Sequence, residues 1–157
     1  MSFVDLHLSE VAQMVNYGFF GEIDVAVIEA SAIAPDGRIW LSSGIGNAPT
    51  WLLRAKKVII ELNHYHNPRV AEFADIVIPG APPRRNSVPI FHTMDRVGSQ
   101  CVQIDPKKVV AVVDTELPDA GKASDKTNPV SQQIADNVVT FLLAEMAHKR
   151  IPAEFLP

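Results

Sequence analysis

IDVAVIEASAIAPDGRIWLSSGIGNAPTWLLRAKKVIIEL, residues 23–62, holds two apolar, β-branched runs around a turn and a glycine loop. The first run, Ile23–Ala30, shows no simple alternation. A strand covered on both faces has this composition, which points to a parallel or mixed sheet. Pro35-Asp36-Gly37 is a turn signal, and Arg38–Leu41 returns as a second strand, so the pair is a hairpin or a tight corner. Ser42–Asn47 (SSGIGN) is a loop of small residues. A helix over Pro49–Lys56 follows, with Pro49 near its first position, where a missing N–H does no harm. Lys57–Leu62 is the next buried strand. Strand, glycine loop, helix and strand together predict a βαβ unit.

Outward from this stretch, Asp5–Gly18 reads as a helix capped by Ser9, with Val11, Met14 and Val15 at helical spacing. Beyond it, Val70–Ala74 reads as a helical turn and Asp75–Ile78 as a short strand. Pro79–Pro89 is a proline-rich loop carrying Arg84 and Arg85. A loop of that length in a compact domain is usually functional or an interface. Cys101–Ile104 and Val109–Asp114 are two more strands, and Glu116–Thr127 is polar and loop-like. Asn128 caps a last helix, Val130–Lys149, free of glycine and proline. On it Ile134, Val138, Phe141, Leu142 and Glu145 share one face, with Val139, Leu143 and Met146 beside them. Such a wide stripe suits a helix clamped against a sheet. The reading is α/β: a mostly parallel sheet with helices on both faces, roughly five to six strands and three to four helices.

The composition narrows the function classes. Hydrophobic residues are 47% and charged residues 20% of the 157, ordinary for a globular chain. The net charge is −4 and basic residues are scattered, which speaks against nucleic acid. The apolar runs are far shorter than the roughly 20 residues of a membrane span. No signal peptide opens the chain. A single cysteine, Cys101, forbids an intrachain disulfide and favours a reducing cytoplasm.

Several residues are candidates for chemistry. The Ser42–Asn47 loop follows a strand and precedes a helix, so its N–H groups can cradle a phosphate, a carboxylate or a developing oxyanion, or it is a plain βα turn. A dinucleotide fingerprint is not met, because Pro49 stands where the third glycine would fall, and no Walker lysine is present. His64 and His66, two apart, could share a metal with His92. No Cys or carboxylate at ligand spacing accompanies them, and no metal ligand is assigned. Glu29 and Glu61 lie near the C-terminal ends of buried strands. A carboxylate there is costly unless bonded, paired or used. Each is a potential nucleophile or base, or a brace for the next loop. Asp5 and His7 form a possible base and orienter. Cys101 reads as an apolar residue at the start of a strand rather than a nucleophile. Arg84, Arg85 and Arg96 could meet an acidic ligand or another subunit.

Several of these segments, in order, resemble one family. They are Asp5-Leu6-His7-Leu8-Ser9, Ile23–Ser31 with the Asp36-Gly37 turn, Ser42-Ser43-Gly44-Ile45-Gly46 and Val58–Asn63. Pro82-Pro83-Arg84, Val88-Pro89-Ile90 and Asp95-Arg96-Val97-Gly98 follow, then Ile134-Ala135, Arg150-Ile151-Pro152 and Leu156-Pro157. The chain resembles the acetyl-CoA hydrolase/transferase family, the class I coenzyme A transferases of succinyl-CoA/acetate type. The resemblance implies a NagB/RpiA/CoA-transferase-like α/β fold. Residues 1–157 would then be the later part of an N-terminal domain, with 115–128 a mobile loop and 150–157 the start of an interdomain junction.

It also implies transfer of CoA between an acetyl-, succinyl- or propionyl-CoA and a small carboxylate. A glutamate nucleophile would be carried on a second domain outside this chain. No catalytic residue is then expected here and no cofactor is bound, with the CoA thioester as substrate. Ser43, Gly44, Ile45, Gly46, Asn47 and Asn63 would face the shared cleft. A homo-oligomer is expected, and self-association of this chain through its proline-rich loop or its C-terminal end. The rival expectation is a self-standing module that binds an anionic metabolite at Ser42–Asn47.

Overall fold

The computed structural model describes residues 3–80, 83, 85–119, 121 and 126–152. Arg84, Pro82, residues 122–125 of the polar tract and the closing residues 153–157 lie outside them. One compact unit runs to Asp119, and a second holds the last helix.

In the first unit, α1 (Leu8–Asn16) precedes β1 (Val25–Ile33), β2 (Arg38–Leu41), α2 (Ala48–Arg54) and β3 (Lys57–Asn63). A 3-10 turn over Pro68–Phe73 follows, then β4 (Val102–Gln103), a second 3-10 turn and β5 (Val109–Thr115). The sheet order is β4-β2-β1-β3-β5. β1, β3 and β5 are parallel neighbours, β2 is antiparallel to β1, and β4 is antiparallel to β2. Only β2 therefore runs against the rest, and the sheet is mostly parallel. The predicted short strand at Asp75–Ile78 is reduced to one bridge, Ile76 to Ser99.

The βαβ reading needs a correction. β1 lies between β2 and β3, so the parallel crossover runs from β1 to β3 with β2 inside the connection. The cause is the turn at Asp36-Gly37. Gly37 takes φ +89° and its N–H donates to Ala34 O, which folds β2 back onto β1. β2 thus takes one edge of β1 and leaves the other for β3. A Cβ on Gly37 would also lie 2.2 Å from the carbonyl oxygen of Ile104.

The core sits on one face of the sheet. Ala26, Ile28 and Ala30 of β1 and Val58 and Ile60 of β3 pack with Ile39, Leu41, Leu52, Ala55 and Ile76. The parallel register aligns Ile28 with Ile60 and Ala30 with Leu62, so the inward residues form rows. On the opposite face Val25 and Val27 are 49% and 66% exposed. β1 therefore alternates in burial although not in residue type. An unbroken apolar run predicts what a face tolerates, not what covers it.

α1 begins with His7, not Ser9. The His7 ring Nδ1 accepts from the Ser9 N–H and bonds the Ser9 hydroxyl at 2.6 Å. Ser9 is one residue inside the first turn, so the residue before the helix does the capping. In the second unit, α3 (Pro129–Ala147) starts at Asn128 with a reciprocal cap. The Asn128 side chain accepts from Ser131 N–H and the Ser131 hydroxyl accepts from Asn128 N–H, both at 2.9 Å. Among the described residues no helix is long and apolar enough to cross a membrane.

Candidate functional site

Alternation along β1 and β3 puts Glu29, Glu61 and Asn63 on the face away from the core. Glu61 and Asn63 stand at the C-terminal end of β3, where open α/β sheets place their ligands, whereas Glu29 is not near a strand end as expected but mid-strand, because β1 runs on to Ile33. The register pairs Glu29 with Glu61. Asn63 is one residue pair further on, opposite Thr115 of β5.

Asn63 is 2% exposed, and its amide is fully engaged. Nδ2 donates to Glu29 Oε1 and to Leu117 O, each at 2.7 Å. Oδ1 accepts from the N–H groups of Tyr65 and Leu117, each at 3.1 Å. It ties β1, the turn after β3 and the segment after β5 into one piece. The opening residues of the 115–128 segment are thus anchored to the sheet.

Glu29 receives a second donor from the loop after β2. Ser42, 5% exposed, donates its hydroxyl to Glu29 Oε2 at 2.7 Å. Burial pushes the Glu29 carboxyl up. The bonds from Ser42 and Asn63 and the charge of His66 outweigh burial and the opposing Asp119, and hold the carboxyl below its ordinary range. The Glu29 carboxylate is therefore braced by the side chains of Ser42 and Asn63. Glu61 is held by Thr115, whose hydroxyl donates to Oε1 at 3.0 Å.

Next along the loop, Ser43 is exposed and donates its hydroxyl to Asp119 Oδ2 at 2.8 Å. His66 is 9% exposed, and its Nε2 stands 3.3 Å from both Glu29 Oε1 and Asp119 Oδ1. Glu29, His66 and Asp119 thus bring one nitrogen and two carboxylates within 4.8 Å of one another. Nothing in the sequence singled out Asp119, which sits in a polar tract. The costly carboxylate on a buried strand and the histidine after it were the legible two-thirds.

The other candidates lie apart from this group. His64 Nε2 bonds Asp114 Oδ1 at 2.7 Å. His92 belongs to a separate turn, where its N–H donates to Asp95. The trio of His64, His66 and His92 is therefore not assembled. His7 spends its ring nitrogen on the α1 cap rather than on Asp5. Arg96 donates to the carbonyls of Glu72 and Ala74 and fastens a loop. Cys101 is half-buried with its sulfur 3.7 Å from the Ser99 hydroxyl.

The rest of the glycine loop turns into α2. Ile45 packs on the core. Asn47 donates its side-chain amide to Leu8 O at 3.1 Å and leaves α2 without a side-chain cap. The N–H groups of Ala48, Thr50 and Trp51 return to Ile45 O and Asn47 O, so those donors are used within the turn. Gly46 has φ +42°, and Gly44 has open space where a Cβ would sit.

Comparison with known proteins places this geometry. Residues 1–114 match the model of the acetyl-CoA hydrolase/transferase N-terminal domain. The whole chain is 85% identical to 32% of the propanoyl-CoA:succinate CoA transferase of Escherichia coli. It is 38% identical to 29% of the succinyl-CoA:acetate CoA-transferase of Clostridium kluyveri. Against the acetyl-CoA hydrolase of Saccharomyces cerevisiae the identity is 34% over 31% of that protein. The chain therefore spans about a third of the length of these relatives. Among solved structures, RipA from Yersinia pestis superposes with a TM-score of 0.51 at 16% identity, over 87% of this chain and 26% of that one, a likeness of fold alone. The chain belongs to the acetyl-CoA hydrolase/transferase family.

Proposed function

We propose that these residues form part of a coenzyme A transferase acting between an acyl-CoA and a small carboxylate. The donor acid is released, CoA is held as a thioester on a glutamate, and the incoming acid takes it up, splitting one hard step into two. The nucleophilic glutamate lies outside these 157 residues, on a further domain, and the chain alone is inactive. The protein works in the cytoplasm as a homo-oligomer.

The observation that carries this reading is the network at the strand ends, in a chain whose relatives are named CoA transferases. Glu29 has hydrogen-bond donors on both carboxylate oxygens and Glu61 one on Oε1. Both act as braces, and a bonded oxygen is a poor nucleophile. The loop beyond Ser42 is then the pocket wall: Ser43, Gly44 and Gly46 are exposed, Ile45 packs the loop on the core, Asn47 ties it to Leu8, and Asn63 holds Glu29 behind it. Acetyl-, succinyl- and propionyl-CoA are the donors of choice, since the relatives' names span these acids.

The test grafts the 157 residues into the E. coli relative in place of its matching segment, and assays propionyl-CoA with succinate. The chimaera should transfer CoA, while the chain alone should not. Gly44→Val in the chimaera should cut turnover at least tenfold with an unchanged melting temperature, because a Cβ there meets no atom within 4 Å. A folded chimaera without transfer, or a Gly44→Val variant of full activity, would overturn the proposal.

The rival module reading gains no support from the loop. α2 has seven residues, and three of its opening N–H groups are already bonded.

A further inference from the structure

We infer that Glu29, His66 and Asp119 form a binding site for a divalent cation of the zinc type. The proposal is independent of the transfer reaction and rests on ligand geometry.

His66 poses the problem that a cation solves. Its ring is nine-tenths buried, and Nε2 has no hydrogen-bond partner among the described residues. Yet it is aimed between two carboxylate oxygens at 3.3 Å each. A charged N–H···O bond closes to about 2.7–2.9 Å and points at one acceptor. Nε2 does neither. A cation between the three atoms would engage Nε2 and both carboxylate oxygens at once.

The two His66 spacings fit a shared metal. With Zn–N and Zn–O bonds of about 2.0–2.2 Å, ligand atoms at tetrahedral angles stand roughly 3.3–3.5 Å apart. Both His66 contacts fall in that range. One imidazole and two carboxylates are a zinc-type donor set, and three protein ligands leave a fourth position for water or an exogenous group.

The surrounding donors behave as outer supports. Ser42 and Asn63 orient the Glu29 carboxylate, and Ser43 takes Asp119 Oδ2, leaving Oδ1 turned to His66. Outer hydrogen bonds of this kind fix ligand orientation, and their loss typically weakens binding about 10–100-fold. The Glu29 and Asp119 side chains are 32% and 54% exposed, so the fourth position opens to solvent.

The test uses the purified chain stripped by a chelator. Zinc is titrated calorimetrically and cobalt(II) by its visible absorption. We expect one equivalent of zinc and an intense cobalt spectrum of tetrahedral type. Asp119→Asn, at an exposed position, should weaken binding at least tenfold. Ser42→Ala should weaken it about 10–100-fold by freeing the Glu29 carboxylate while leaving all three ligands in place. His64→Gln should change nothing. Absence of stoichiometric binding overturns the site. So does a weak octahedral cobalt spectrum, or binding that survives Asp119→Asn unchanged.

Discussion

Asn63 makes four hydrogen bonds with one amide, and three of its partners come from outside its own strand and turn. Removing it leaves the Leu117 N–H and C=O and one Glu29 oxygen without their partner. Each net hydrogen bond contributes about 0.5–1.5 kcal/mol, and a stranded buried group costs more. Asn63→Ala should lower stability by about 2–4 kcal/mol. Urea unfolding followed by tryptophan fluorescence reads this directly, since Trp40 and Trp51 both belong to the first unit. A change below about 0.5 kcal/mol, the range of an ordinary surface substitution, would show that the network bears no strain. Two glycines give the opposite contrast. Gly37→Ala puts a Cβ 2.2 Å from Ile104 O at φ +89°, so it should cost more than about 2 kcal/mol and detach β4. Gly44→Ala meets nothing within 4 Å and should be neutral or stabilising by up to about 1 kcal/mol. Equal effects at the two positions would contradict the turn geometry.

At the level of elements, α3 shows how a local signal becomes a local stability. The Asn128–Ser131 box satisfies the first free N–H groups of the helix. Asn128→Ala should cost about 1 kcal/mol there. Amide exchange in the first turn of α3 should then quicken about fivefold, while exchange in β3 stays as it was. Uniform acceleration through the chain would mean that the cap acts globally. α3 was legible because its signals, Asn128 and Pro129, are adjacent in sequence. β3 was legible for the same reason: Lys57–Leu62 was read, Lys57–Asn63 is found. What escaped was long-range. The position of β1 between β2 and β3 depends on a choice of edge that periodicity does not encode. Ser43 meets Asp119 across 76 positions. The two histidines part company because residues 64–66 form a turn, so the two-residue spacing of an extended strand does not hold and each ring reaches a different carboxylate.

For the first unit as a whole, the one-sided core leaves an apolar strip on the other sheet face. Val25 and Val27 of β1 are exposed, as is Val113 of β5, which the register sets beside Glu61. Lys57 stands exposed at the start of β3, and Glu61, half-buried, lies toward its end on that same face. Two copies related by a two-fold axis would bring Lys57 of each near Glu61 of the other while covering the valines, which is the self-complementary form a dimer interface takes. If the chain forms the homo-oligomer expected from its sequence, this face offers a second copy a surface beside the proline-rich loop and the C-terminal end. Sedimentation velocity over rising concentration should show a monomer–dimer shift. Val27→Asp should hold the chain monomeric without moving its unfolding midpoint, since the side chain is 66% exposed and lies outside the core cluster. Lys57→Glu should weaken the dimer by setting like charges together, and more so at low salt, where screening is least. A chain that stays monomeric at high concentration, or a dimer indifferent to Val27→Asp, would remove this face from consideration.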